Sequence, residues 1–169
     1  YSSAASDVYK RQGLLNYTTV IDYAAANNKE LENFYPAFKA VKDYVVQAPE
    51  KTTGWYLPSI GQWYDFTANL GGLPSWDDAI NEGNDLTPNL YRWSNQTELV
   101  SKINAYFEPL GTGNYDAIPN GSYQKFFSSS TYSDSGIWTW FVGKQANVVQ
   151  CWHNVRYNSD SAVRPILAF

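Results

Sequence analysis

The chain holds one histidine and one cysteine, and the two stand close together as Cys151 and His153 in QCWHNVRYNSD, residues 150–160. That pair does not make a nucleophilic site. No G-x-S-x-G elbow accompanies His153, so a Ser-His-Asp triad has no supporting motif, and His153 reads as a surface residue or a ligand contact. A single cysteine excludes an internal disulfide and any Cys-based zinc site. Carboxylates offer a second chemistry, with Asp77 beside Asp78, Glu82 near Asp85, and Asp116 further on. Glycoside hydrolysis needs two carboxyl groups converging across a cleft at about 5 to 10 Å, which adjacency in a loop does not establish. Binding is the third. Trp152, His153, Arg156 and Tyr157 among Asn154 and Asn158 make the mixture found in adaptable paratopes. Aromatic faces stack on sugars or apolar side chains, Arg and Asn add directional hydrogen bonds, and binding energy concentrates in Trp, Tyr and Arg. Joined by Tyr132, these residues form the expected ligand-binding surface, and no catalytic residue is assigned. A polar hairpin without a binding role is the competing reading. Strand alternation puts Gln150 and Trp152 on one face and Cys151 and His153 on the other, so a Trp152 turned into the core would remove the strongest anchor.

The start of the chain must be set aside before its elements are read. Ser2 to Gln12 spell SSAASDVYKRQ, which resembles the in-frame translation of a transposase sequencing adapter. Residues 1–12 are therefore expected to be foreign, and residues 13–169 a single domain truncated at its N-terminus. A missing start leaves export undecided. Without Asp7, Lys10 and Arg11 the net charge moves from −4 to −5, with acids and bases scattered. Nucleic acid is an unfavourable partner for such a chain, because phosphate binding wants clustered Lys and Arg. No stretch approaches the roughly 18 consecutive apolar residues that span a membrane. Aromatic residues make up 17% of the chain, with fourteen Tyr, seven Trp and eight Phe. They build a core, and the sharper reading is that several of them also line a ligand surface.

Three helices are legible. Phe34, Phe38, Val41 and Val45 fall on one helical face, with Pro36 in the first turn and Pro49 closing the segment. Thr18 to Ala26 is a further helical candidate, opposed by the β-branched run ahead of it. In GWYLPSIGQWYDF, residues 54–66, Ser59 and Gln62 form a capping box, after which Trp63, Phe66 and Leu70 make an apolar stripe. Gly71-Gly72 stops that helix, Tyr64 and Asp65 are expected to face away from the core, and Trp55 to Leu57 reads as a short strand. The last helix runs from about Gln96 to Phe107, capped by Asn95 with Glu98 and buried through Leu99, Ile103 and Tyr106. Pro74 to Trp93 reads as a long loop. Strands are expected at 136–142, 148–152 and 163–169, with a turn at Gly143-Lys144. Helices followed by a small antiparallel sheet give an α+β class.

Several short pieces then carry a resemblance. They are Gly54-Trp55-Tyr56-Leu57-Pro58-Ser59 with Gly61-Gln62, Ser128-Ser129-Ser130 followed by Thr131 and Tyr132, Ile137-Trp138, and Val163-Arg164-Pro165 with the ending Leu167-Ala168-Phe169. In that order they resemble the C-terminal domains of bacterial collagen-like adhesins, whose relatives recur in surface lipoproteins of gut anaerobes. The resemblance runs from about Asn16 to Phe169. It implies a C-type-lectin-like fold, akin to sulfatase-modifying-factor domains, with two main helices packed on a small twisted antiparallel sheet closed by the C-terminal strand. Two departures stand out: Phe126-Phe127 replaces the usual Tyr-Trp, and Gly143 comes early after Trp138.

The resemblance also implies a function. It points to a non-enzymatic ligand-binding or adhesion domain, extracellular or at a bacterial cell surface, taking a glycan or protein ligand and needing no cofactor. The alternatives are a glycan-acting hydrolase using a loop carboxylate pair and a retroelement-diversified receptor-binding protein, in which the varied residues precede the terminal strand as residues 150–160 do here. Formylglycine generation, suggested by fold kinship, would require reactive thiol chemistry, and Cys151 has no neighbouring base. Asn81 to Asp85 supplies oxygen ligands for calcium, but the Glu-Pro-Asn and Trp-Asn-Asp motifs of calcium-dependent lectins are absent and the stretch reads as solvated loop. The sequons at Asn16, Asn95 and Asn120 read as coincidence in a bacterial chain.

Overall fold

The proline at position 36 sets the first feature of the fold. A residue preceding proline is driven out of the helical region, and Tyr35 sits at φ −145° and ψ 58°. The single helix expected from Phe34 to Val45 is therefore two: α2 (Leu31–Phe34) and α3 (Pro36–Lys42). Phe38 and Val41 are buried as expected, whereas Phe34 is 38% exposed and Val45, beyond the end of α3, is 93% exposed.

The computed structural model describes residues 3–72, 80–81, 91–111, 113, 115–120, 123–131, 133, 136–143, 148–155 and 161–168, with side chains at all of these except 3–11, 80–81, 91–92, 94, 143, 148 and 152–155. The remaining helices are α1 (Ser3–Ala26), α4 (Ile60–Leu70) and α5 (Gln96–Ala105). The strands are β1 (Ile80–Asn81), β2 (Tyr91–Ser94), β3 (Gln124–Thr131), β4 (Gly136–Gly143), β5 (Val148–Val155) and β6 (Ser161–Ala162), hydrogen-bonded in the order β1-β2-β5-β4-β3-β6. The class is α+β. None of the described helices is long and apolar enough to cross a membrane. By internal contacts the chain divides into two compact units, the first made of residues 1–62, 126–139 and 153–169, the second of 63–125 and 140–152.

In the first unit the core gathers Ala24, Leu31, Ala37, Phe38, Val41, Leu57, Phe127 and Ile137. Tyr17 stacks on Phe38 with ring centroids 5.8 Å apart. The terminal stretch differs from the strand expected at 163–169. It meets the chain before α4 through one isolated bridge, Tyr56 to Ile166, with N···O distances of 2.9 and 3.0 Å. Ala168 accepts from the Thr53 amide at 3.0 Å, and the Ala168 amide donates to the Thr53 hydroxyl at 3.0 Å. Pro165 has no N–H to give a ladder, which limits the pairing to these alternate positions. Burial from 163 to 168 is intermediate throughout rather than alternating.

The second unit is built on aromatics. Trp63 and Trp140 stack at 4.9 Å and 4°, and Phe66 meets both edge-on. Trp140 Nε1 donates to the Thr67 hydroxyl at 2.7 Å, which in turn donates to the Trp63 carbonyl at 2.8 Å. Tyr64, expected to face away, is only 2% exposed. Its ring lies 4.7 Å from that of Trp93 in β2, a strand inside the stretch that reads as loop. β2 runs antiparallel to both β1 and β5, pairing Tyr91 with Cys151 and Trp93 with Val149.

The helix stops and caps follow local rules with one exception. Gly72 at φ +71° ends α4, a conformation that costs glycine least. Asn95 precedes α5 at φ 67°, and its side chain donates to the Glu98 carboxylate at 2.7 Å instead of accepting from a helix amide. α5 buries Gln96, Leu99, Val100 and Ile103, whereas Tyr106, past the helix end, is 59% exposed.

Candidate ligand-binding site

The residues that carry the resemblance form a brace inside the first unit. Ser59 and Gln62 make the reciprocal capping box: the Ser59 amide donates to Gln62 Oε1 at 2.9 Å, and the Gln62 amide donates to Ser59 Oγ at 3.2 Å. Gln62 Nε2 also donates to the Tyr56 hydroxyl oxygen at 2.9 Å. The serine run then closes on the same helix end. The Ile60 amide donates to Ser130 Oγ at 3.0 Å, and the Ser129 amide donates to the Pro58 carbonyl at 2.7 Å. Ser128 is fully buried, donates to the Trp138 carbonyl at 2.7 Å and accepts from the Ser130 amide at 3.1 Å. Asn16 of α1 completes the set, its amide reaching Ser129 O at 3.3 Å. Helix ends leave several amides without partners, and here two of them are met by Ser59 of the first motif and Ser130 of the second, some seventy residues apart in the chain.

The aromatic stretch ahead of α4 divides between core and surface. Tyr56 and Leu57 are buried. Trp55 is half-buried, donates Nε1 to the Val46 carbonyl at 2.7 Å, and receives Tyr44 edge-on at 5.3 Å.

Of the expected ligand surface, Trp152, His153 and Asn154 belong to β5, and their side chains lie outside the described residues. Arg156, Tyr157, Asn158 and Tyr132 lie outside them altogether, as do Asp77, Asp78, Glu82 and Asp85. Asp116 is described and exposed. Val149 and Cys151 are buried and Gln150 is half-buried, so β5 turns its odd positions here to the core of the second unit.

Cys151 shows the consequence of that burial. The residue is 2% exposed, and desolvation pushes its thiol pKa from the ordinary 9.0 up to about 12. The thiolate is the reactive species, so the residue behaves as a small hydrophobe. A raised folded-state pKa gives stability that is whole below pH 9 and is lost as pH climbs toward 12. Ellman's reagent at pH 8 is expected to label Cys151 only as fast as the protein opens, and chemical denaturation should show falling stability above pH 9 that a Cys151→Ala variant lacks. Rapid labelling of the native protein would refute the assignment.

Two cavities in the first unit escaped the sequence reading. One, of about 130 Å³, is walled by Val20, Ala37, Phe38, Phe127 and Ile137 with Ser129 among them. The other, about 330 Å³, lies over Ile21, Ala24 and Leu31 and is rimmed by Lys29, Glu32, Lys39, Lys42 and Asp43. Lys39 and Asp43 pair across one turn of α3 and its end, and the bond to Asp43 raises the Lys39 pKa. The larger is lined entirely from residues 21–43, whereas the smaller draws on positions as far apart as Val20 and Ile137. Their walls come from α1, α2, α3, β3 and β4, and no spacing in the sequence announces them.

No family model, curated protein or solved structure matches this chain. Among the described residues no group of three His, Cys, Asp or Glu side chains is placed to hold a metal ion.

Proposed function

We propose that this chain is a non-enzymatic ligand-binding or adhesion domain of C-type-lectin-like type, carried at a bacterial cell surface and presenting its ligand surface along the second half of β5 and the stretch that follows. One observation carries the reading. The signature side chains of Tyr56, Ser59, Gln62, Ser128 and Ser130 are committed to internal hydrogen bonds, of which the bond from the Ile60 amide to Ser130 Oγ ties the start of α4 to β3. Residues so engaged are scaffold, and recognition falls to what the scaffold displays. Residues 156–160 join β5 to β6 and hold Arg156, Tyr157 and Asn158. On β5 the half-buried position is Gln150, and a period of two from it reaches residue 152. Trp152, His153, Asn154 and Tyr132 complete the proposed surface for a glycan or protein ligand, and no cofactor is needed to form it.

The experiment is capture of the full chain on a glycan array and on immobilised surface glycoproteins, comparing the wild type with Trp152→Ala and Tyr157→Ala while following the melting temperature. Removing an aromatic anchor is expected to weaken capture tenfold or more, on the order of 2 kcal/mol, with the melting temperature unchanged. Capture unaffected by either change, or a collapse of stability on replacing Trp152, would overturn the assignment. Release of sugar from the array, abolished by Asp77→Asn or Asp78→Asn, would replace binding by hydrolysis.

A further inference from the structure

The smaller cavity of the first unit has a chemistry that a glycan surface does not use. Its walls are Val20, Ala37, Phe38, Phe127 and Ile137, with exposed Pro36 and Thr131 at the rim and a volume of about 130 Å³. Ala37, Phe38, Phe127 and Ile137 are each no more than 6% exposed. An apolar cavity of roughly 150 Å³ stays dry and accepts a benzene-sized guest. The size here therefore suits one six-membered ring or a short branched chain.

Three hydroxyl-bearing residues also line it, Tyr35, Ser129 and Thr131, and of these Ser129 is the buried one. Ser129 is 5% exposed, and the bonds its amide, carbonyl and Oγ make among the described residues leave its hydroxyl proton unused. Its amide donates to the Pro58 carbonyl at 2.7 Å, while its carbonyl and Oγ accept from Asn16 Nδ2 at 3.3 and 3.4 Å. The proton on Oγ has no acceptor among the described residues. A buried donor without an acceptor is costly, and an arriving oxygen would relieve it. We propose that this cavity binds a small apolar molecule of about single-ring size that carries one oxygen acceptor, taken up by the Ser129 hydroxyl. Sugars are the wrong class for it. Most of their hydroxyls would be left unpaired against Val20, Phe38, Phe127 and Ile137, at a desolvation cost that the few hydroxyls of the lining cannot offset. The ligand class is an aryl or branched-alkyl alcohol, aldehyde or ketone. None of its lining residues belongs to the proposed β5 surface, and the proposal does not depend on that surface.

Benzyl alcohol and its isostere ethylbenzene are suitable probes, titrated into the ¹⁵N-labelled full chain. Saturable amide shifts confined to the cavity walls, around Ala37, Phe38, Phe127 and Ile137, are expected with both. Ser129→Ala should weaken benzyl alcohol by roughly three- to tenfold and leave ethylbenzene unchanged, since only the first loses a hydrogen bond. Ala37→Leu should fill the cavity and abolish both titrations. If Ala37→Leu fails to fold, contacts between probe protons and the wall side chains in the wild type decide the matter. No saturation in the wild type, shifts that map elsewhere, binding that survives Ala37→Leu, or equal weakening of both probes by Ser129→Ala would each overturn the proposal.

Discussion

Replacing Trp140 by alanine is expected to destabilise the protein by about 3–5 kcal/mol, the range for emptying a buried large aromatic site. Trp140 is completely buried and lies flat on Trp63 at 4.9 Å, with Phe66 edge-on at 5.8 Å. Its loss removes the transfer energy of the indole and leaves a cavity that neighbouring aromatics cannot collapse into without abandoning their own contacts. The indole N–H is a second, separable contribution, because it donates to the buried Thr67 hydroxyl at 2.7 Å. Trp140→Phe keeps an aromatic face on Trp63 and loses the hydrogen bond, so a smaller cost of about 1–3 kcal/mol is expected. Thr67→Val in the wild type leaves the indole N–H without an acceptor, and in Trp140→Phe it removes a group with nothing to accept. The two changes should therefore cost less together than the sum of their separate effects. Urea unfolding followed by far-ultraviolet dichroism measures all four proteins. A Trp140→Ala cost under about 1 kcal/mol would show that the stack is not a core.

The features legible in the sequence are those fixed by near neighbours. The capping box at Ser59 and Gln62 needs only three residues of chain, and it forms with both hydrogen bonds in place. Strands β4 and β5 stand on β-branched and aromatic runs and begin where expected, β5 extending to Val155. Long-range partners decided the rest. β3 is a strand although three of its eight residues are serines, a poor strand composition. Its place is earned by Ser128 bonding the Trp138 carbonyl and Ser129 bonding Pro58, seventy residues away in the case of Ile60 and Ser130. Tyr64 was misplaced for the same reason, since its partner Trp93 lies in a stretch rich in turn residues. The break at Tyr35 was readable from the proline after it, and the hydrophobic period of Phe34, Phe38 and Val41 concealed it.

The candidate sites divide in the same way. Residues 150–158 attract notice because their types are chemically suggestive in a row. The cavity beside Ser129 has walls of Val, Ala, Phe and Ile, each of which reads as ordinary core until α1, α3, β3 and β4 bring them together around a hydroxyl that accepts from Asn16 and keeps its own proton unused among the described residues. Burial likewise settles Cys151, whose isolation among Gln150, Trp152 and His153 says nothing about reactivity until the residue is found at 2% exposure.

Gly13→Ala sets two familiar effects against each other, and contact distance decides between them. Gly13 lies inside α1, where alanine in place of glycine ordinarily gains about 0.5–1 kcal/mol. A Cβ at this position, however, would stand 2.0 Å from Gln62 Oε1 and 2.8 Å from the Ser59 amide nitrogen. The first contact can be relieved only by swinging the Gln62 side chain away. That breaks its bond from the Ser59 amide and its bond to the Tyr56 hydroxyl, so the capping box of α4 is lost. The second contact is with backbone and must be met by moving α1 off the start of α4. Overpacking of this kind costs about 1–3 kcal/mol, and loss of the box adds on the order of 1 kcal/mol, so the helix gain is outweighed. The expected net effect is a destabilisation of about 1–3 kcal/mol, read from the shift in urea midpoint. In a Gln62→Ala background the same substitution should cost less, because the nearer contact and its hydrogen bonds are already gone and only the Ser59 nitrogen still obstructs. A Gly13→Ala protein as stable as the wild type, or a penalty unchanged by Gln62→Ala, would mean that α1 does not seat against the capping box at residue 13.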